Sequence, residues 1–229
     1  MHESNERVSI SFIGPSGAGK GTQIELLAQH YEPIPCHTVS SGALLRAYFT
    51  QQGFDIETHY KPPTASLEDL AMFEEHIAGK FATDAQLEPL IHQYCDTFYP
   101  QVKGQHILFL DGVWRRSSQV QRFGIDIAKK YGITQKIVIF LDADNQLCLQ
   151  RAHKRNRPDY NEEFIKTTLQ EFALNKGSIL EQCETHNIPI IYIQDRGESQ
   201  KEISKTILSK IKRMKIPPLA SLSAASYEV

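Results

Sequence analysis

The chain has no C-x-x-C pair and no apolar run as long as a membrane span. Its four cysteines stand far apart, which argues against a zinc knuckle and equally against a disulfide-stapled secreted fold. The opening residues MHESNER are polar and do not resemble a signal peptide or anchor. We therefore expect a cytoplasmic protein with reduced thiols and no membrane partner. The cysteines are Cys36, Cys95, Cys148 and Cys183.

An excess of basic residues is also lacking. The chain carries 25 Lys and Arg against 27 Asp and Glu, a formal net charge of −2. Because a surface that coats nucleic acid must neutralise many phosphates, no nucleic-acid partner is expected. Neither a Ser-His-Asp nor a G-x-S-x-G arrangement stands out. The histidines His59, His76, His92 and His153 lack a paired carboxylate pattern, so surface or core roles are expected for them.

Short apolar, β-branched runs alternate with helical patterns along the 229 residues. This alternation predicts βαβ units and an α/β fold of the doubly wound type, a three-layer α/β/α sandwich around a five-stranded parallel sheet. The length is enough for one sizeable core. The predicted strands are 8–14, 37–40, 106–112, 136–143 and 189–195, and the helical patterns that separate them are 21–30, 43–52, 117–130, 144–153, 161–186 and 198–214.

Two stretches depart from the strand–helix rhythm. Residues 53–104 hold short helical patterns without a strand, which indicates a helical insertion on the substrate side of the sheet. Residues 154–160, KRNRPDY, are basic and broken by proline, which favours a short flap. The predicted organisation is a core of 1–40, 105–153 and 161–215, a helical insertion of 41–104, a short lid of 154–160 and a loosely ordered tail of 216–229.

A glycine-rich turn between the first strand and the first helix predicts phosphate binding. In VSISFIGPSGAGKGTQ (8–23), glycines without side chains let backbone N–H groups converge on an anion, at which the helix aims its positive dipole end. Lys20 adds a charge that can follow the β- and γ-phosphates. Gly21 stands where the general motif has Ser or Thr, and Thr22 offers a hydroxyl one residue later.

Four sequence blocks together resemble the adenylate kinase and nucleoside monophosphate kinase family of P-loop kinases. The resemblance covers about residues 8–213 and implies a core, a helical monophosphate-binding domain and a closing lid. It also implies phosphoryl transfer from ATP to a nucleoside monophosphate, with Mg²⁺ as cofactor. The blocks are GPSGAGKGTQ (14–23), SGALLR (41–46), AGKFATD (78–84) and LDGVWR (110–115), followed by arginines at 151, 155 and 157.

On the ATP side, the resemblance implies that Arg151 packs on the adenine, that Arg155 meets the phosphates and that Arg157 enters from the flap. Asp111 closes the third predicted strand, where a carboxylate points into the ligand crevice of an α/β sheet. By resemblance it holds Mg²⁺ through water. The ATP-binding set is Gly17, Ala18, Gly19, Lys20, Gly21, Thr22, Arg151 and Arg155.

On the acceptor side, arginine suits a phosphate because its planar fork matches the oxygens and its charge is permanent. The resemblance implies that Arg46 and Arg115 contact the monophosphate, that Ser41 lies near the base and that Gln119 hydrogen-bonds the adenine of AMP. The monophosphate-binding set is Ser41, Arg46, Lys80, Phe81, Ala82, Gly112, Arg115, Gln119 and Arg157, and the catalytic set is Lys20, Arg115, Arg155 and Arg157.

Three departures from the family pattern leave alternatives open. Ala43 replaces an acidic residue, Trp114 replaces a proline, and Thr168 stands where the flap usually has a later arginine. We expect a monomeric, reversible ATP:AMP phosphotransferase. A UMP/CMP kinase, or one with another acceptor, is the first alternative, and a catalytically weakened nucleotide-binding regulatory protein is the second. A small-metabolite kinase is disfavoured by the SGALLR and LDGVWR blocks.

Overall fold

A computed structural model describes residues 6–155 and 162–216 of the chain. Its five strands form one sheet in the order β2-β3-β1-β4-β5, and every neighbouring pair is parallel. The predicted fold class is therefore confirmed, and each predicted strand end agrees with the observed one to within one residue. The strands are β1 (Arg7–Ile13), β2 (Cys36–Ser40), β3 (His106–Asp111), β4 (Gln135–Ala143) and β5 (Ile190–Asp195).

Helices cover both faces of the sheet, because the inner strands bury alternate residues on opposite sides. The helices are α1 (Lys20–His30), α2 (Ser41–Gln51), α3 (Leu67–Ile77), α4 (Asp84–Phe98), α5 (Ser117–Gln119), α6 (Ile127–Lys130), α7 (Asn145–Arg155), α8 (Glu162–Thr185) and α9 (Gln200–Arg213), with a 3₁₀ turn at Tyr99–Gln101. In β3, Ile107 and Phe109 join the core under α1, α7 and α9, whereas Leu108 and Leu110 join the core under α2, α3 and α4, and α8 contributes to both cores.

The stretch predicted as an insertion contains α2, α3 and α4. Phe49 of α2 packs its ring 5.1 Å from that of Phe73 on α3, and Phe54 lies 4.6 Å from Phe73. The side chains of Ser66 and Thr83 cap the first turns of α3 and α4, which defines where each helix begins. The domain boundaries at 41 and 104 stay a prediction.

The helix predicted over 117–130 is interrupted. Between α5 and α6 the chain forms a π-helix, Val120–Asp126. The buried indole of Trp114 packs directly on Gly124, so that a Cβ at Gly124 would lie 2.5 Å from Trp114 Cζ2. Because real Cβ atoms do not approach so closely, a glycine is required opposite this tryptophan.

Two predicted segments fall largely outside the described residues. Residues 156–160 of the predicted lid are among them, as are residues 217–229 of the predicted tail. Within 6–155 and 162–216, no helix combines the length and the apolar character needed to cross a membrane.

Candidate active site

The glycine-rich turn is held between two helices that follow much later in the chain. Gly17 and Gly19 have φ angles of 89° and 87°, which favour glycine. A Cβ at Gly17 would lie 2.5 Å from the Cys148 carbonyl oxygen of α7, and one at Gly19 would lie 2.7 Å from Gln200 Oε1 of α9. Close contact with the α7 backbone therefore requires glycine at position 17, whereas at position 19 it is the positive φ that favours glycine, because the Gln200 side chain could move away.

Lys20 begins α1 and is almost fully buried. Its Nζ donates hydrogen bonds of 2.9 Å to the carbonyl oxygens of Gly14 and Pro15, so that the ammonium group lies over its own turn. Gly21 follows in the first turn of α1, and a Cβ there would meet no atom within 4 Å. The turn thus concentrates backbone N–H groups, a helix N-terminus and one cation at the carboxyl edge of the sheet.

Two of the cavities at this edge are lined in part by the glycine-rich turn. We call the first the loop cavity; it includes about 670 Å³, part of which is open to solvent. It contains most of the ATP-side residues predicted from the sequence, together with Ser16, Glu25 and Ser40, which the sequence did not single out. It is lined by Ser16, Gly17, Gly19, Lys20, Gly21, Thr22, Glu25, Ser40, Gly42, Arg46, Asp111 and Arg115.

We call the second the helical cavity, because α2, the end of α3 and α8 form its walls; it includes about 520 Å³. Four residues line both cavities: Ser16, Gly42, Arg46 and Arg115. The cavities therefore meet at two arginines. The helical cavity is lined by Ser16, Ser41, Gly42, Leu45, Arg46, His76, Gly79, Lys80, Phe81, Ala82, Leu87, Arg115, Phe164 and Thr168.

The segment after α3 approaches α8 closely. Gly79 has a φ of 78°, and a Cβ there would lie 2.6 Å from the Phe164 carbonyl oxygen. Only glycine permits this backbone-to-backbone contact. It places Lys80, Phe81 and Ala82, predicted as monophosphate-binding residues, in the wall of the helical cavity.

Arg115 is oriented by its own turn and by an aromatic ring. Its Nε donates 2.9 Å to the Gly112 carbonyl oxygen, which also accepts a 2.7 Å bond from Ser41 Oγ. The guanidinium carbon lies 4.4 Å from the centre of the Phe81 ring, a cation–π distance. Gly112 itself is buried behind these contacts and lines neither cavity.

Gln119 lies behind the same turn and is fully buried. Its Oε1 accepts hydrogen bonds from the backbone N–H groups of Arg115, at 2.7 Å, and Arg116, at 3.1 Å. Its Nε2 donates 3.2 Å to the Ala82 carbonyl oxygen. The structure does not bring Gln119 into the lining of either cavity, because N–H groups at the start of α5 engage its carbonyl.

Arg116, the next residue in this turn, is half-buried. Its Nη2 donates 2.9 Å to the Phe81 carbonyl oxygen. It therefore joins the turn that carries Arg115 to the segment that follows α3, and nothing in the spacing of the sequence pointed to this bond.

Asp111 ends β3 beside Ser40 of β2, its partner in the sheet register. Ser40 Oγ donates a 3.2 Å hydrogen bond to Asp111 Oδ2. Both residues line the loop cavity with Thr22, which makes a set of oxygen donors of the kind that Mg²⁺ prefers, with waters completing its shell. Among the described residues, no group of three or more His, Cys, Asp or Glu side chains could hold a metal ion by itself.

Arg151 forms a two-pronged ion pair at the end of β5. Its Nη1 and Nη2 lie 2.5 and 3.3 Å from the Asp195 carboxylate oxygens, and Asp195 is almost fully buried. Arg151 lines neither the loop nor the helical cavity, so its packing on adenine stays a prediction. Arg155 ends α7, but its side chain lies outside the described residues, as does Arg157.

Sequence reasoning did not place two polar side chains that line the helical cavity. His76, in the last turn of α3, was expected on the surface or in the core. Thr168 of α8, noted only as a missing arginine, is buried with its Oγ1 donating 2.8 Å to the Ile165 carbonyl oxygen. The one available signal for His76 was its position three residues before Gly79, within one helical turn of the AGKFATD block.

Comparison with known proteins agrees with this geometry. The AAA domain family matches residues 13–166. The chain is 28% identical over 179 residues to an adenylate kinase of Encephalitozoon cuniculi (strain GB-M1), which covers 77% of this chain and 84% of the relative. It is 28% identical over 215 residues to a uridylate kinase of Saccharomyces cerevisiae, which covers 91% and 93%.

Among solved structures, a gluconokinase from Sinorhizobium meliloti 1021 superposes with a TM-score of 0.52 and 17% identity, covering 90% of this chain and 92% of the other. That likeness shows the fold alone. The family match spans more than half of the chain and begins at the end of β1, just before the glycine-rich turn. The chain therefore belongs to the AAA-domain family of P-loop proteins and, with its adenylate and uridylate kinase relatives, to the nucleoside monophosphate kinase phosphotransferases.

Proposed function

We propose that the protein transfers the terminal phosphoryl group of ATP reversibly to a nucleoside monophosphate, with AMP as the favoured acceptor. The observation that carries this proposal is that the loop cavity and the helical cavity share Arg46 and Arg115. Two nucleotides laid end to end would place their reacting phosphates at this junction. In-line transfer needs that arrangement and little covalent help from the protein.

The loop cavity would bind the ATP phosphates. The glycine turn lines it, so backbone N–H groups of the turn would bind the phosphate oxygens, and the N-terminus of α1 adds its dipole. On binding ATP, Lys20 Nζ would leave the two carbonyl oxygens and bind phosphate oxygens instead. Its positive charge would then stabilise the negative charge that develops on the phosphates during transfer. Gly17, Ala18, Gly19, Gly21 and Thr22 complete the donor set of this proposal.

The helical cavity would bind the acceptor. Its nucleophile is an already ionised phosphate oxygen, which forms a bond to the γ-phosphorus of ATP as the bond to the β–γ bridging oxygen breaks. No general base is needed. Arg46 and Arg115 would hold the acceptor phosphate and stabilise the transferring group, and Arg155 and Arg157 are proposed to add charge from the lid.

Mg²⁺ is the proposed cofactor, and the oxygen donors of Asp111, Ser40 and Thr22 fit it. Asp111 would hold the ion through water, as the half-buried carboxylate bonded to Ser40 allows. When bound, the ion neutralises charge on the β- and γ-phosphates.

UMP is the second candidate acceptor. The uridylate kinase of Saccharomyces cerevisiae aligns over 91% of this chain, whereas the Encephalitozoon cuniculi adenylate kinase aligns over 77%. Because Gln119 is occupied by backbone groups, the side chain on which the AMP preference was based does not by itself separate the two candidates.

A coupled assay of the full chain with ATP, Mg²⁺ and each of AMP, UMP, CMP and GMP tests the proposal. The highest kcat/KM is expected with AMP, and the highest value with UMP would replace AMP by the second candidate. Tight ATP binding by calorimetry without transfer to any monophosphate would overturn the proposal in favour of a regulatory nucleotide-binding protein.

The proposal also includes a monomer that works in the cytoplasm. Analytical ultracentrifugation of the purified chain and a fluorescent fusion in cells test these two parts. A crystal complex with a bisubstrate dinucleotide would show whether its phosphate chain lies at Arg46 and Arg115, as the shared lining requires.

A further inference from the structure

Gln23 ends the sequence block GPSGAGKGTQ (14–23), and the proposed function gives it no task. Its side chain is fully buried. It lines neither the loop cavity nor the helical cavity, so it would not touch a nucleotide directly. Burying an amide costs free energy unless its polar atoms are hydrogen-bonded. The reason for a glutamine at this position must therefore lie in the contacts that its amide makes within the protein.

The amide nitrogen of Gln23 binds one residue of α9 twice. Gln23 Nε2 donates a hydrogen bond of 2.9 Å to the main-chain carbonyl oxygen of Gln200 and another of 2.9 Å to Gln200 Oε1. A side-chain amide has two N–H groups, so Gln23 commits both of them to Gln200. These bonds join α1 to the first residue of α9, which lies 177 positions further along the sequence.

The Gln200 amide lies directly against the glycine-rich turn. A Cβ at Gly19 would lie 2.7 Å from Gln200 Oε1 and 3.3 Å from Gln200 Nε2. The Gly19 carbonyl oxygen accepts a 3.0 Å hydrogen bond from the main-chain N–H of Gln23. Gly19, Gln23 and Gln200 therefore form a closed set of contacts, which we call the glutamine clamp. Of these three residues, Gly19 is the one that lines the loop cavity.

The glycine-rich turn is supported by different kinds of group on its two sides. At Gly17 it meets the main chain of α7, which could not move without shifting the helix. At Gly19 it meets the end of a long side chain, and such side chains lose much rotamer freedom when they are fixed. One bond from Gln23 holds this side chain, and the other holds the main chain that carries it. Without Gln23, the Gln200 amide could turn away from the turn.

We propose that Gln23 is a positioning residue for ATP, which acts by holding Gln200 against Gly19. Gly19 is the N-cap of α1 and directly precedes Lys20. The clamp therefore fixes the point at which the turn and the helix N-terminus would meet the phosphates. A turn that is already ordered binds its ligand more tightly than one that must be ordered on binding. This inference rests on the proposed function, because it assigns a residue to the same ATP site.

The test compares Gln23→Met with the unmodified full chain. Methionine keeps the length of the side chain and removes both bonds to Gln200. The KM for ATP and the Kd for ATP from calorimetry are expected to rise at least about fivefold, whereas the KM for the best acceptor should stay within about twofold. A purely structural role would lower the free energy of unfolding without this selective rise, and that result would overturn the inference.

Gln200→Met tests the other side of the clamp, and it also serves if Gln23→Met does not fold. It removes the side-chain acceptor but keeps the main-chain carbonyl, so the KM for ATP should rise less, about threefold. The double variant should be no worse than Gln23→Met alone, because both residues act through one contact. An unchanged KM in Gln200→Met, or fold-increases that multiply in the double variant, would contradict the clamp.

Arg7→Met is the matched control for stability. Like Gln23, Arg7 donates two side-chain hydrogen bonds to distant residues, at 2.8 Å to the Tyr131 carbonyl oxygen and at 3.1 Å to that of Val102. Arg7 begins β1 and so lies at the edge of the sheet opposite the glycine-rich turn. Its variant should lower the free energy of unfolding and leave the KM for ATP unchanged. An equal rise in KM in both variants would show that KM follows stability, which would overturn the assignment of Gln23.

The two proposals fail in different ways. If the unmodified protein transfers phosphate from ATP to none of AMP, UMP, CMP and GMP, the proposed function is wrong. If it transfers phosphate but Gln23→Met leaves the KM and the Kd for ATP as they were, only the assignment of Gln23 is wrong.

Discussion

The loop cavity and the helical cavity are built by different means. The loop cavity takes half of its lining residues from one continuous stretch, residues 16–22, in which Gly17 allows close contact with the α7 backbone. The helical cavity draws side chains from α2, α3, the turn after β3 and α8, which lie far apart in the sequence. The comparison shows that the proposed phosphate site rests on local backbone geometry, whereas the proposed acceptor site depends on how distant segments pack.

The two cavities also differ in where charge lies. Lys20 and the shared pair Arg46 and Arg115 surround the loop cavity, while Leu45 and Phe164 make much of the helical cavity apolar. Charge is therefore concentrated at the junction, where phosphates would react. The substitutions below alter one cavity at a time, and they follow in order of their expected effect on phosphoryl transfer.

Removing the ammonium group of Lys20 from the loop cavity is expected to have the largest effect. Lys20→Met should lower kcat by at least about a hundredfold, because the transition state loses a preorganised charge. Initial rates of ADP formation in a coupled assay measure this. Lys129→Met, which removes an exposed lysine of α6, is the matched control and should leave the rate unchanged. Near-normal turnover in Lys20→Met would contradict the assignment.

A pair of glycine variants tests whether the turn depends on close backbone contact. Gly17→Ala should lower the free energy of unfolding by about 2 kcal/mol or more and raise the KM for ATP at least about tenfold, because its φ is positive and the Cys148 carbonyl oxygen is in the way. Gly21→Ala should leave stability unchanged or raise it by up to about 1 kcal/mol, since its surroundings are open. Urea unfolding and steady-state kinetics measure both, and equal effects would show that steric contact is not what matters.

On the acceptor side, the Phe81 ring is expected to support Arg115. Phe81→Leu removes a cation–π contact of about 0.5–2 kcal/mol, so kcat/KM for the acceptor should fall about 2- to 30-fold. Phe172→Leu is the control, because Phe172 is buried to a similar degree in the same core and lines neither cavity. An equal loss in both variants would mean that the ring acts only through general stability.

The smallest effect on transfer is expected at the opposite edge of the sheet, where His106 begins β3. Burial, with His37 and Arg7 nearby, lowers the pKa of His106 to about 4, and its Nε2 lies 2.8 Å from His37 Nδ1. Between pH 6.5 and 4 the unfolded chain therefore binds more protons than the folded one, so the free energy of unfolding falls as the pH falls through this window.

Urea unfolding at pH 7 and pH 5 tests this dependence on pH. His106→Gln should weaken the dependence while leaving the relative kcat/KM values of the acceptors at pH 7 unchanged. If the free energy of unfolding of the variant depends on pH as strongly as that of the unmodified protein, other titrating groups cause the effect.

The three inner strands, β1, β3 and β4, could be predicted from sequence because each is a compact apolar run buried on both faces, whereas the edge strands β2 and β5 are only partly buried. Val8, Ile10 and Phe12 show this in β1, where all three are fully buried. The helix predicted over 117–130 was wrong in detail, since its π-helical turn is associated with Trp114 packing on Gly124. That contact joins two residues that lie ten positions apart in the sequence, and the hydrophobic periodicity of the sequence does not predict it.

The same limit applies to the candidate site. Gly17, Lys20 and Thr22 could be predicted because the geometry of the turn is local. The partner of Gln119 lies 37 residues away at Ala82, and the wall that contains His76 is completed by α8. Which way such side chains face depends on tertiary packing, so the sequence indicated the blocks that form the proposed acceptor site without indicating how they pack against one another.

The contact of Gly79 with the Phe164 carbonyl oxygen sets a rule for building chimaeras. The stretch between β2 and β3 is a natural unit to transplant between relatives when a new acceptor is wanted. Any transplanted stretch that brings a residue with a Cβ to position 79 would push against the first turn of α8. A successful chimaera must therefore have a glycine at position 79, where the transplanted stretch meets α8.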